Sequence, residues 1–276
     1  MKPPRVRADE LIFRQGLAPS RARAQALVMA GRAHLPDGSR VPKAGSLYPE
    51  GTGITISEGK LFASRGGDKL KGALEDLGID PAGWRCLDLG ASTGGFTDCL
   101  LKSGAAFVCA VDVGKGLLDV RLRADPRVLA VEGRNARDLS AACTPEELGG
   151  PFDLAVMDLS FISLTLVLGD ASRFVKDGGA VLAMVKPQFE SGRGPAVKKG
   201  VVRDPAVIRA AVDKVASFAA GLVPPLSAAG EAPSRVLGPK GNQEVFLHLV
   251  KRSQGSDAEA GSGTERIDGT RYDDQV

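Results

Sequence analysis

The sequence predicts the α/β class: a Rossmann-like sheet over residues 64–252, preceded by a small basic α+β domain over residues 5–60 and followed by a disordered acidic tail at 253–276. Three observations carry this. From residue 64 onward, apolar runs of strand length alternate with helical periodicity, the pattern of a mostly parallel sheet with helices on both faces. A glycine-rich stretch, Asp88-Leu89-Gly90-Ala91-Ser92-Thr93-Gly94-Gly95-Phe96, stands between the first of these strands and the first of these helices. Charge also shifts along the chain: residues 1–60 carry a net +5, residues 61–252 a net +2, and residues 253–276 a net −4.

In the first domain, Ala8, Leu11 and Ile12 lie at helical spacing and Gly16 is a natural stop. Ser20 suits the N-cap of a second helix whose apolar face is Ala24, Leu27 and Val28, ended by Gly31. Asp37-Gly38 reads as a hairpin turn leading to Arg40-Val41, and Ile54-Thr55-Ile56 as a short strand. The positive charge includes Arg5, Arg7, Arg21, Arg23 and Arg32. A basic small domain suggests a phosphate-rich partner, and these five arginines are its candidate contacts.

In the second domain the expected strands are 85–89, 106–112, 128–131, 152–157, 179–185 and 244–250, with helices at 95–103 and 204–220. Ligands of such sheets sit beyond the carboxyl ends of the strands. Asp88, Asp112, Asp158 and Lys186 all fall at or beside such ends. The tail has little to bury and many Gly, Ser and acidic residues.

The glycine loop points to a cofactor. Its glycines allow a tight turn and close backbone approach, but the spacing is not GxGxxG. Asp88, just ahead of the loop, would repel a pyrophosphate and suits a ligand with a cationic amino group. Asp112, at the end of the next strand, is placed to accept hydrogen bonds from ribose hydroxyls. The pair fits S-adenosylmethionine, with Gly90, Ser92, Gly94, Phe96 and Asn135 as further candidate contacts. A second set of charges is spread along the chain: Lys69, Asp158, Lys186 and Glu244. Lys186 follows the apolar run Ala180–Val185 and precedes Pro187, so its backbone leaves a buried strand at a fixed turn. Were the four to converge, a neighbouring cation and partial burial would tune one lysine toward acting as a base on a hydroxyl.

Several segments resemble the TlyA family: SRGGDKL (64–70), DLGASTGGFTDCLL (88–101), VMDLSFISL (156–164), MVKPQFE (184–190), KKGVVRDP (198–205) and GPKGNQEVFLHL (238–249). That family carries both the name ribosomal RNA methyltransferase and the name hemolysin, and its catalytic domain is similar to the FtsJ-like 2'-O-methyltransferases. The resemblance covers about residues 5–251. It implies a Lys-Asp-Lys-Glu tetrad at Lys69, Asp158, Lys186 and Glu244, acting on cytidine 2'-hydroxyls of ribosomal RNA or ribosomal subunits. The segment RADELIFRQGLAPSRARAQALVMAG (7–31) resembles an αL-type RNA-binding domain. Loop residues Arg193, Lys198 and Lys199 are expected to add a second phosphate contact. Asp158-Leu159-Ser160-Phe161 departs from the Asn/Asp-Pro-Pro-aromatic pattern of exocyclic amino methyltransferases, and no cysteine follows a proline, as cytosine C5 chemistry would require.

Two other readings stay open at this point: a membrane-active hemolysin, and a non-catalytic RNA-binding assembly factor. Against the first, no stretch approaches the roughly 18–20 apolar residues of a membrane span. The opening MKPPRVRADELIFRQG lacks the apolar core of a secretion signal. Cys86, Cys99, Cys109 and Cys143 match no CxxC metal or redox spacing, as expected of thiols in a reducing cytoplasm.

Overall fold

The computed structural model describes residues 4–29, 31–57, 61–191 and 200–252. The acidic tail and the loop residues Arg193, Lys198 and Lys199 lie outside the described residues. The chain divides into two compact units, Met1–Leu61 and Phe62–Val276.

The first unit runs β1 (Arg5–Arg7), α1 (Ala8–Arg14), α2 (Arg21–Met29), β2 (Ala33–His34), β3 (Leu47–Pro49) and β4 (Thr55–Ile56). Ser20 opens α2, its Oγ accepting from the Arg23 backbone N–H at 3.2 Å. At the Asp37-Gly38 turn the Gly38 N–H donates to the Leu35 carbonyl at 2.9 Å, and Arg40 bridges His34. β1 pairs antiparallel with β3, and β2 with β4. The helical apolar positions Ala8, Leu11, Ile12, Ala24, Leu27 and Val28 are buried together. Asp9 is buried beside them. Its carboxylate accepts from Arg7 Nε at 3.0 Å, Arg7 Nη2 at 2.8 Å and Gln25 Nε2 at 2.8 Å.

The second unit runs α3 (Arg65–Leu77), β5 (Arg85–Leu89), α4 (Gly95–Lys102), β6 (Phe107–Asp112), α5 (Val120–Arg123), β7 (Val128–Glu132), α6 (Leu139–Ala142), β8 (Phe152–Met157), α7 (Leu168–Ser172), β9 (Val175–Val185), α8 (Pro187–Glu190), α9 (Pro205–Ala220), β10 (Leu226–Pro233) and β11 (Val245–Lys251). Seven strands form one sheet in the order β10-β11-β9-β8-β5-β6-β7. β7, β6, β5, β8 and β9 are parallel, and β11 is antiparallel to both β9 and β10. Alternate strand residues feed two cores. Leu87, Leu89, Ala155, Met157, Val181 and Leu247 pack with Val212 and Val215 of α9. Cys86, Val108, Val156, Leu182 and Phe246 pack with Leu70 of α3 and Leu100 of α4.

Two elements depart from the sequence expectation. α3 is a full helix although Gly66, Gly67 and Gly72 weaken its helical signal by roughly 1 kcal/mol each relative to Ala. Packing demands two of them: a Cβ on Gly67 would strike the Phe62 side chain, and one on Gly72 would lie 2.9 Å from Arg235 Cδ. β10 (LSAAGEAP) has little intrinsic strand preference and is an edge strand held by its pairing with β11.

The Arg7 hydrogen bonds, helped by Gln25 and opposed by burial, hold the Asp9 carboxyl well below the usual carboxylate range. A carboxyl so depressed contributes stability at and above the ordinary aspartate range, and this is lost only as pH falls below it. Asp9→Ala is expected to cost the first unit about 1.5–3 kcal/mol, the worth of hydrogen bonds to a charged group. Hydrogen exchange on the full chain reads both units, and unchanged protection across α1 and α2 would overturn the expectation.

Candidate active site

From β5 the chain moves outward through β6 to β7, then returns to β8 and proceeds the other way through β9. The switch point therefore lies between β5 and β8, where open α/β sheets leave a crevice for ligands. Leu89 pairs with Met157, so Gly90 and Asp158 leave the two strands side by side. The Asp158 N–H donates to the Leu89 carbonyl at 3.2 Å. Gly90 has φ +89, and a Cβ there would lie 3.0 Å from the Asp158 carbonyl oxygen, so the turn accepts glycine for both conformation and space.

Two adjoining clefts open here and share Gly90, Ser92 and Asp158. One, of about 440 Å³, is lined by Asp112, Val113, Arg134, Asn135, Arg137 and Ser160 among others. The other, of about 260 Å³, lies between Ser64, Arg65, Gly66 and Lys69 of the α3 start and Thr93, Gly95 and Phe96 of the glycine loop. Asp112 shapes the larger cleft: its Oδ2 accepts from the Ser92 N–H at 2.8 Å and its Oδ1 from the Gly114 N–H at 2.7 Å. Each oxygen keeps a lone pair for a further donor. Asn135 Oδ1 accepts from the Arg137 N–H at 3.1 Å.

Asp88 and Gly94 stand behind the cleft walls. Gly94 has φ +91 and packs against Leu122 and Leu118, while Phe96 is buried with its ring centroid 6.0 Å from that of Phe246. Asp88 is fully buried. Its Oδ2 accepts from Thr97 Oγ1 at 2.6 Å, and its Oδ1 has no partner among the described residues. Burial pushes the carboxyl up to about 7, helped by the carboxylates of Asp158 and Asp112 and opposed by the Thr97 hydrogen bond. A buried carboxylate oxygen without a donor is costly, and a cationic ligand group or an ordered water would relieve it.

The four charges named from the sequence form two ion pairs. Lys186 Nζ lies 2.6 Å from Asp158 Oδ1 and donates to Ser160 Oγ at 2.9 Å. Lys69 Nζ lies 2.5 Å from Glu244 Oε2. Strand register brings the pairs to one end of the sheet: Val185 pairs with Val245, so Lys186 and Glu244, each one residue further, face the same edge. Lys69 and Asp158 line the same cleft. Lys69, Lys186 and Glu244 are all buried, and Glu244 Oε1 has no partner among the described residues. Glu244 offsets the Lys69 charge.

Sequence reading passed over Ser160 and Phe161 as individual residues. Phe161 is 91% exposed, has φ +67, and its ring centroid is 5.2 Å from that of Phe189. Neither its left-handed backbone nor its exposure has a signature in the string DLSFISL. Among the arginines of the first unit, Arg7 and Arg21 face inward charges: Arg7 bonds Asp9, and Arg21 Nε lies 3.0 Å from Glu10 Oε2. Arg5 donates to the Leu47 carbonyl and Arg32 to the Ser57 carbonyl, each at 2.9 Å, while Arg23 stands exposed on α2. No helix among the described residues is long and apolar enough to cross a membrane.

Comparison with known proteins places these features in a family. Residues 62–251 match the FtsJ-like methyltransferase family. The chain is 44% identical over 263 residues to the 16S/23S rRNA (cytidine-2'-O)-methyltransferase TlyA of Mycobacterium tuberculosis, covering 95% of each chain. It is 33% identical to Hemolysin A of Brachyspira hyodysenteriae, covering 89% of this chain and 100% of that one. A solved structure from Streptococcus thermophilus, named as a hemolysin, superposes with a TM-score of 0.65 at 36% identity over 91% of this chain and 90% of that chain. A mostly parallel sheet with its cleft at the β5/β8 switch point, and matches of this extent, agree: the chain belongs to the FtsJ-like methyltransferases and, within them, to the TlyA family.

Proposed function

We propose that this chain methylates the 2'-hydroxyl of cytidine in ribosomal RNA, free or in ribosomal subunits, using S-adenosylmethionine, in the cytoplasm. The observation that carries the reading is the Lys186–Asp158 pair at the glycine-loop cleft. Asp158 and Ser160 occupy two of the three N–H donors of Lys186 and leave one for a substrate oxygen.

The residues fit the cofactor. The unpartnered Oδ1 of Asp88 suits its ammonium, Asp112 its ribose hydroxyls, and Gly90, Ser92 and Asn135 its passage along the cleft. When bound, S-adenosylmethionine supplies an electrophilic methyl group. The protein's own work is to hold the attacking hydroxyl and remove its proton. Lys186 can pass one proton to Asp158 while taking the hydroxyl proton, and its charge stabilises the oxygen as negative charge develops. Lys69 and Glu244 brace the far side of the site and keep it dry. Phe161, exposed at the cleft mouth, offers a ring on which an unstacked base can lie. The first unit adds phosphate contacts through Arg5, Arg23 and Arg32, with Arg7 and Arg21 steadied by their acidic neighbours. Arg193, Lys198 and Lys199 add others.

Three outcomes are expected. A carboxyl titrating at about 7 must be ionised to hold an ammonium, so cofactor affinity should rise as pH rises through that value. Asp88→Asn should bind more weakly and lose this pH dependence; calorimetry across the range would show a parallel wild-type and variant profile if Asp88 had no such role. Phe161→Ala should raise the KM for RNA roughly 10-fold, since stacking is worth about 1–3 kcal/mol per base, while Phe161→Trp stays near wild type. The central test is Lys186→Ala, which should abolish methyl transfer to ribosomal RNA while leaving cofactor binding intact, because its contact matters chiefly in the transition state. Lys186→Arg should not rescue, as a guanidinium does not give up its proton. The product should resist alkaline cleavage at the methylated nucleotide. A cleavable product or an active Lys186→Ala enzyme would be fatal to the reading.

A further inference from the structure

One buried carboxylate beside the site is used by none of the steps above. Glu190 ends α8, the short helix that starts directly after Lys186, and its side chain is 1% exposed. Its Oε1 accepts from the Leu164 backbone N–H at 2.7 Å, and its Oε2 from Ser163 Oγ at 2.5 Å and Lys214 Nζ at 3.3 Å. Lys214, on α9, also donates to the Glu190 carbonyl at 2.8 Å. Ser163 and Leu164 close the loop that leaves Asp158 and contains Ser160 and Phe161. The two segments that carry the Lys186–Asp158 pair are thus tied together a second time, several residues beyond the pair, by one carboxylate. The Phe161–Phe189 ring contact lies between the two ties.

A residue needed only to fill this space would be apolar. Leu164, Val167 and Val212 are buried in the adjoining core, and a desolvated carboxylate is justified only by what it orients. Here it orients three donors from the catalytic loop and α9. The backbone N–H of Leu164 and the hydroxyl of Ser163 fix the end of the loop, and Lys214 offsets the charge and ties α8 to the long helix.

We propose that Glu190 is a positioning residue for methyl transfer: it locks loop 159–164 to the helix after Lys186, and so sets the Lys186–Asp158–Ser160 geometry and the stance of Phe161 at the cleft mouth. The inference rests on the reading of Lys186 as the group at the ribose oxygen. Glu190 touches neither the substrate nor the cofactor clefts, so it acts on the chemical step through the loop.

The test uses the full chain with labelled S-adenosylmethionine and ribosomal RNA. Single-turnover rates are measured for Glu190→Ala, Glu190→Gln and Ser163→Ala, and cofactor affinity by calorimetry. Glu190→Ala should slow transfer about 100-fold, the scale of a misplacement near 1 Å, with cofactor affinity within about twofold of wild type. Glu190→Gln should recover most of the rate, because the amide oxygen still accepts from the Leu164 N–H. Ser163→Ala, which removes a single tie and leaves the core intact, should slow transfer about 10-fold and carries the test if Glu190→Ala does not fold. Wild-type rates in Glu190→Ala or Ser163→Ala would overturn the proposal, as would loss of rate and cofactor affinity together in Glu190→Gln. A wild-type chain inert on the RNA would sink the functional reading and this inference with it; an active wild type with a full-speed Glu190→Ala sinks this inference alone.

Discussion

Because β11 runs antiparallel between β9 and β10, with Val245 against Val185, Glu244 arrives at the sheet edge opposite Lys186, although the two lie far apart in sequence. Side chains alternate faces along a strand, so a slip of one residue in this register would send Glu244 to the other face and bury an apolar neighbour's place with charge. Gly238 sits against the Glu244 carboxylate, where a Cβ would collide with it. Asn242 holds the approach by accepting from the Val202 N–H and donating to the Gly200 carbonyl, each at 2.9 Å. The last strand of the fold is thus a structural element whose first job is to deliver one carboxylate to Lys69.

The desolvation of these charges follows the same logic. Two lysines at a parallel sheet's carboxyl edge would be costly if buried alone, and each has a carboxylate partner within 2.6 Å. The pairs differ in what they leave open. Glu244 is wholly buried, and Lys69 nearly so, which suits a fixed wall. Asp158 is partly exposed and Ser160 more so, which leaves the Lys186 end of the network facing the cleft.

Much of this was legible in the sequence, and the exceptions have physical causes. Lys186 could be placed because an apolar run ends on it and a proline follows; Asp112 could be placed because a strand ends on it. The strands from β5 to β9 were readable because buried parallel strands are nearly continuous apolar runs. α3 was hidden by glycines that its close packing on Phe62 and Arg235 requires, so the strongest tertiary constraint on the helix erased its local signal. β10 was hidden because an edge strand of Ala, Ser and Gly owes its conformation to β11. Glu190 closes the segment MVKPQFE, but its partners Ser163, Leu164 and Lys214 stand 24 to 27 residues away, and no local pattern links them. Among the arginines, net charge was visible but the partners were not: Arg7, itself exposed, is paired with the buried Asp9.

Asp88 and Asp112 show how far a residue type and a strand end can carry an assignment. Both are aspartates at the carboxyl end of neighbouring parallel strands. Asp112 ends its strand, is half exposed, and receives two backbone N–H donors, so it organises the glycine loop and the cleft floor directly. Asp88 stands one residue short of its strand's end, on the face packed by α3 and α4, and sees only Thr97. Asp88 is level with Ala110, two residues below Asp112 in register, and so sits behind the loop, wholly buried. The consequence is electrostatic: with one oxygen unpartnered among the described residues and two other carboxylates near, burial disfavours its charge. The two aspartates thus differ in kind: Asp112 is committed to the protein's own backbone at the cleft, and Asp88 is held behind it in an electrostatically unfavourable state.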